Sequence, residues 1–340
     1  MKFRILAVLL FINYICFAQQ KRVINNEVTA YSLTAKNDTI DFIVVDKAPS
    51  ERKPIFLWCQ GSLPVPLYIN FETDGLWLHG GGTANFDYEE IKKYYHLIVI
   101  SMPKTPLIVD ESRLNNEKWY YGDSADKNIP SIAFQKANYY QNYIDRAVKV
   151  IKFLRRQKWV DNSKLVVAGH SQGSKIATGI AANYKNVTKL GLFSANPLGR
   201  IDQNIRKFRK EAEQGKISWQ LANKEIEKQY EYFRAANDPE KISKTPSLLA
   251  WNTLSDPMIE DWLAFNKPIY LAYGTADIAS DFCDLIPLYF IRQKKNNLTY
   301  KRYLNLEHNF FKINNKNVPD HNKPHWKQVM ESFLQWTLNP

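Results

Sequence analysis

The sequence predicts an α/β protein: a mainly parallel sheet flanked by helices, with a helical lid inserted before the penultimate strand. Three observations carry that expectation. Short β-branched or aromatic runs alternate with long amphipathic stretches, the order that repeated strand-helix-strand units produce. One interval, residues 197–266, breaks the alternation with a continuous helical pattern. The chain has 340 residues, of which 45% are hydrophobic and 14% aromatic, enough to bury one large core or two modest ones.

Strands are expected first over residues 27–35 and 39–45, then over the apolar run 54–59, then over 96–102. The polar stretch 110–128 predicts a long loop. A helix is expected over 134–158, where Tyr143, Ala147, Val150, Ile151 and Leu154 recur at three- and four-residue steps and so share one face. Next come a strand over 164–168, a helix over 172–184 and a strand over 189–194. Inside the insertion, Ile217, Leu221, Ile226, Tyr230 and Phe233 approximate one helical face, and Asn237-Asp238-Pro239 supplies a stop. The pattern closes with a strand over 268–273, a helix over 285–294, a strand over 298–304 and a helix over 326–336. The expected organisation is therefore a core of residues 19–196 and 267–340 carrying a lid of residues 197–266.

Residues 1–18 have the marks of a secretory signal: Lys2 and Arg4, an apolar run from Ile5, and small residues at Cys16 and Ala18 before a cut ahead of Gln19. The apolar segment is shorter than the roughly 20 residues a bilayer span needs. The expectation is an exported chain, periplasmic or extracellular, with no stable membrane insertion once the signal is cleaved. Cleavage removes Cys16 and leaves Cys59 and Cys283 in apolar surroundings, which predicts two buried thiols rather than a disulfide framework. The excess of 46 Lys and Arg over 34 Asp and Glu gives a net charge of +12. Those cations are dispersed and no nucleic-acid module accompanies them, so a solvated basic surface is expected and no nucleic-acid partner.

Gly169-His170-Ser171-Gln172-Gly173 is a Gly-x-Ser-x-Gly motif, whose glycines let the chain turn sharply and present the serine hydroxyl. Three fixed residues are a weak signal alone. Here an apolar strand precedes them and a helical pattern follows, the context a nucleophile turn requires. A serine hydroxyl needs a base in hydrogen-bond reach, and the base needs an orienting acid. Among six histidines, His308 follows the strand ending near Leu304, where the chain order serine, acid, histidine places the base. Asp277 follows the strand 268–273 at its C-terminal end, the edge where open α/β sheets gather their sites. Asp281 lies four residues on, where capping of the next helix is the alternative role.

GHSQG at the turn, GTAD after the penultimate strand and LEHNF after the last make residues 53–336 resemble the α/β-hydrolase superfamily, its lid-bearing esterases and aminopeptidases in particular. The resemblance implies an oxyanion hole with one backbone donor from the residue after the nucleophile, Gln172, and another from the loop after the third strand. Ser62, in Gln60-Gly61-Ser62, is the candidate for the second; Gln60 departs from the histidine usual in the family. The run His79-Gly80-Gly81-Gly82 is a competing candidate. The implied activity is cleavage of a carboxylic ester or amide through a Ser-His-Asp triad and an acyl-enzyme, with no cofactor or metal, on a small-molecule or peptide acyl substrate. A serine peptidase of the same fold and a non-catalytic binding protein on the hydrolase scaffold stand as alternatives.

Overall fold

A computed structural model describes residues 19–35, 38–314 and 318–339. The expected signal segment, residues 1–18, lies outside the described residues. In chain order the elements are β1 (Gln19–Ile24), β2 (Val28–Ala35), β3 (Asp38–Val44), β4 (Lys53–Cys59), β5 (Tyr68–Phe71), β6 (Gly75–Leu78), α1 (Tyr88–Lys92), β7 (His96–Ile100) and β8 (Ile108–Asp110). They continue with α2 (Ile132–Ala137), α3 (Tyr140–Leu154), β9 (Val160–His170), α4 (Gln172–Asn183) and β10 (Lys189–Phe193). The helices α5 (Arg200–Glu213), α6 (Trp219–Ala236), α7 (Pro239–Lys244), α8 (Leu248–Thr253) and α9 (Ile259–Ala264) follow. The chain ends with β11 (Ile269–Gly274), α10 (Ile286–Arg292), β12 (Leu298–Tyr303), β13 (Phe311–Ile313), β14 (Pro319–Pro324) and α11 (Trp326–Leu338).

Nine strands form the main sheet in the order β1-β2-β3-β7-β4-β9-β10-β11-β12. The strands from β7 to β12 run parallel, and β1, β2 and β3 add an antiparallel edge. Alternate side chains of each central strand enter opposite cores, as the pleat requires. Ile55 and Leu57 of β4 pack with Val150 and Ile151 of α3 and Ile176 of α4, whereas Phe56 and Trp58 pack with Trp326 and Phe333 of α11. The sheet is thus a three-layer sandwich with cores on both faces. From β4 the chain first adds β7 on one side and then grows through β9 to β12 on the other, so β4 and β9 border the topological switch point. Crevices for ligands open there, because the loops leaving the two strands go to opposite sides.

Several local features depart from the sequence expectation. The single helix expected over 134–158 is two helices, broken where Tyr139 is extended (φ −142°, ψ 152°). Asn138 leaves the helical region (φ −85°, ψ 71°) and its Oδ1 accepts from the Tyr143 hydroxyl at 2.8 Å, the side-chain competition that makes Asn a poor helix interior residue. The stretch between β4 and β7 also holds a hairpin of β5 and β6, to which β8 adds a parallel strand. Its Asp74-Gly75 turn, with Gly75 at φ 71°, was a readable hairpin signal. The stretch 111–130, apart from a short turn of 3-10 helix at Glu111–Arg113, is irregular, as the polar sequence predicts.

The insertion is helical throughout, and its last part belongs to the core. Met258 and Trp262 are buried in the same cluster as α3 and α4, and Trp262 Nε1 donates to Thr178 Oγ1 of α4 at 2.8 Å. The helices α5 and α6, by contrast, pair with each other, and Trp219, Leu221 and Tyr230 are exposed. Among the described residues the thiols of Cys59 and Cys283 are free and buried.

Candidate active site

Ser171 sits between β9 and α4 in a conformation open to few residues other than glycine, φ 56° and ψ −124°. Such backbone costs on the order of 1–3 kcal/mol and persists only where the surroundings enforce it. Here β9 and α4 are both packed into the core, and Ser171 N–H donates to the Phe193 carbonyl at 2.9 Å. The flanking glycines are required by approach. A Cβ on Gly169 would stand 2.2 Å from the Gly173 carbonyl oxygen, and one on Gly173 would stand 2.1 Å from that of Cys59. The turn therefore tolerates no side chain at either place, which is the physical content of the motif.

His308 lies in the loop after β12, and its Nδ1–H donates to Asp277 Oδ2 at 2.9 Å. Asp277 is buried and also accepts from the Ala279 N–H at 2.9 Å and the Ser280 hydroxyl at 2.7 Å. Burial alone would raise its pKa, but His308 and these donors outweigh it and hold the carboxyl below the ordinary value. For His308, burial pulls downward, and the Asp277 hydrogen bond and charge more than reverse it, so the imidazole titrates above 6.5. The loop is pinned from below: the His308 carbonyl accepts from Ser194 Oγ at 2.7 Å and from His170 Nε2 at 2.8 Å. Burial and the neighbouring His308 press the His170 pKa down to about 3, so this ring is a neutral strut.

The two candidate acids separate in space. Asp281 pairs with Arg206 of α5, whose guanidinium also bonds Asp202 at 2.7 Å and the Ile278 carbonyl. Asp281 therefore ties the insertion to the Asp277 loop, while Asp277 faces the histidine.

Two cavities meet at the serine. One, of about 310 Å³, is lined by Ser171 and His308 together with Ser62, Gln172, Arg200 and Trp251. The other, of about 400 Å³, shares Ser171, His308 and Ser62 and has aromatic walls at Trp58, Phe86 and Trp326. Ser62 follows β4 and Gln172 opens α4, so both stand at the switch point beside the serine. Gln172 is the first helical residue, and its N–H has no acceptor within the helix. His79, Gly81 and Gly82 form the outer wall of the second cavity, where Trp58 Nε1 donates to the Gly81 carbonyl at 3.0 Å. Nothing in the order of residues marks Arg200 or Ser194 as neighbours of the serine, since each role depends on a contact between segments far apart in the chain, whereas Lys175 lies one helical turn on in α4.

No known protein-family model matches the chain, and no curated protein matches it in sequence. Solved structures match it in shape. The lip1 protein of Acinetobacter baumannii AYE, provisionally assigned as a lipase, is 14% identical at a TM-score of 0.52, over 92% of this chain and 92% of that one. The acylaminoacyl peptidase of Pyrococcus horikoshii is 12% identical at a TM-score of 0.50, over 90% of this chain and 41% of the longer peptidase. At such identities the likeness concerns the fold, and the chemistry has to be argued from the site.

Proposed function

We propose that this chain, which has the α/β-hydrolase fold, is an exported serine hydrolase that cleaves a carboxylic ester or amide through Ser171, His308 and Asp277. The observation that carries the proposal is the strained Ser171 turn on a cavity wall shared with His308, whose far nitrogen is held by buried Asp277. The Nδ1–H to Asp277 bond leaves Nε2 as the basic nitrogen. Ser171 Oγ attacks the substrate carbonyl as its proton passes to His308 Nε2. The N–H groups of Gln172 and Ser62 hold the resulting oxyanion. Collapse of the tetrahedral intermediate expels the alcohol or amine, which takes the proton from His308. Water then repeats the sequence on the acyl-enzyme, releasing the acid and restoring Ser171. In this scheme α5 to α8 act as a lid, and Trp251 is the insertion's aromatic contribution to the cavity. Export rests on the basic start, the apolar run and the small residues before Gln19, and N-terminal sequencing of the protein from its host tests a cut there.

A fluorophosphonate probe tests the nucleophile. Intact mass should show one adduct on the wild type and none on Ser171→Ala with an unchanged thermal melt. A folded wild type that stays unlabelled and turns over no ester or amide would favour a binding protein on the same scaffold.

A further inference from the structure

The cavity of about 310 Å³ beside Ser171 is lined by two cations, Lys175 and Arg200, and by side-chain amides including Asn196 and Gln203, with no Asp or Glu in its wall. Lys175 is accounted for within the fold. Its Nζ donates to the Asp256 backbone carbonyl, and the carboxylates of Asp256 and Asp261 act on its charge. Arg200 is different. Its Nη2 donates to the neutral Oε1 of Gln172 and its guanidinium lies 5.3 Å from the Trp251 ring, while the titratable groups acting on it are the hydroxyls of Tyr143 and Tyr232. Among the described residues no carboxylate pairs with it. Arg146, which is buried, and Arg206, half-buried like Arg200, are each matched, to Asp38 and to Asp202 and Asp281 respectively.

Arg200 is half-buried, and a guanidinium partly drawn out of water without a counterion is costly, a cost that an anionic group of a ligand would offset. The backbone adds to the same field. Arg200 opens α5, and Gly199 before it (φ 104°) has no room for a capping side chain, because a Cβ there would meet the Ser255 carbonyl oxygen at 2.0 Å. The first N–H groups of that helix therefore stay without a side-chain acceptor at the cap, on the cavity side that Gly199 and Arg200 line. Every fixed charge presented to this space is positive.

We infer that Arg200 determines specificity: the cavity takes a substrate bearing a carboxylate, which the guanidinium binds while Ser171 acts on the ester or amide bond. The inference rests on the hydrolase reading above. A guanidinium fork matches a carboxylate in two parallel hydrogen bonds, which a neutral chain of equal length cannot supply. The carboxylate can belong to the acyl part or to the leaving group.

Two matched pairs separate those placements: para-nitrophenyl hydrogen adipate against para-nitrophenyl hexanoate, and para-acetoxybenzoate against para-tolyl acetate. The expected result is a kcat/KM ratio of carboxylate to neutral ester above about ten in one pair. In Arg200→Gln that ratio falls at least about tenfold, mainly through KM, whereas Arg200→Lys keeps part of it. Thermal melts and fluorophosphonate labelling establish that the variants are folded with a competent serine. A ratio at or below one in both pairs, or the same ratio in wild type and Arg200→Gln, overturns the inference. Calorimetric binding of adipate monomethyl ester or of para-acetoxybenzoate to Ser171→Ala, lost in Ser171→Ala/Arg200→Gln, decides the anion site without turnover for either placement. Absent labelling with no ester cleaved thus sinks the hydrolase reading, whereas absent binding of both carboxylates sinks the anion site.

Discussion

At the scale of single residues, the site turns on which carboxylate faces His308. Asp277→Asn keeps the shape but removes the charge and the orienting acceptor, so turnover should fall about 10³- to 10⁴-fold, and His308→Ala should do at least as much. Asp281→Asn loosens only the link to Arg206, which keeps Asp202, and kcat should change less than about threefold with a small fall in Tm. An Asp281→Asn loss comparable to that of Asp277→Asn, in the same esterase assay, would reverse the assignment. The pH dependence has a definite sign. The proposed mechanism needs neutral His308, whose pKa is raised above 6.5, so kcat/KM should decline as pH falls through an inflection above that value. Asp277→Asn should move the residual inflection downward, because burial is then opposed by the Glu307 charge without that of Asp277. For stability, His308 contributes fully below 6.5 and loses its contribution as pH rises through its folded pKa. Asp277 contributes above its ordinary value of 3.8 and loses that as pH falls through its depressed folded pKa. The pair stabilises most between those limits, which urea melts across pH would measure. Ser171 and His308 stand out as candidates in the sequence because a Gly-x-Ser-x-Gly turn and a loop after the last strand have local signatures. Arg200 had none, since an arginine at a helix start is ordinary until its lack of a counterion is seen in space.

At the scale of elements, the turn between β9 and α4 has no tolerance for bulk. Gly173→Ala places a methyl 2.1 Å from the Cys59 carbonyl oxygen, so β4 and α4 must part. Fluorophosphonate labelling should be lost and Tm should fall; labelling at the wild-type rate would show that the approach is not what the motif protects. Trp262 anchors α9 to α4 by burial and by its bond to Thr178, and Trp262→Ala should cost about 3–5 kcal/mol in denaturant melts. A loss under about 1 kcal/mol would mean the insertion's end is peripheral. Amphipathic periodicity located α3, because a repeating buried face is written into spacing. It missed the break at Asn138, where one side chain's hydrogen bond to Tyr143 decides against continuing the helix.

At the scale of the whole molecule, the insertion is attached at both ends and exposed in the middle. Residues 214–216 between α5 and α6 are exposed, with Gly215 at φ 69°, so limited trypsin digestion should cut first after Lys216. The nicked protein should keep its melt, held by Arg206 with Asp281 and by Trp262 in the core, while preference among short and long acyl esters changes more than labelling does. Identical ester preference before and after the nick would mean that α5 and α6 do not gate the site. Alternation of strands and helices, the serine turn and the helical interval were all present in the order of residues, because each depends on neighbours within a few turns of chain. The strand order β7-β4-β9, which brings Ser62 beside Gln172, depends instead on pairing strands far apart in sequence. So does which of Asp277 and Asp281 bonds His308, and so does an arginine left without a carboxylate beside the serine. These were decided only when distant segments met, since hydrogen bonding and charge compensation are set by distance in space.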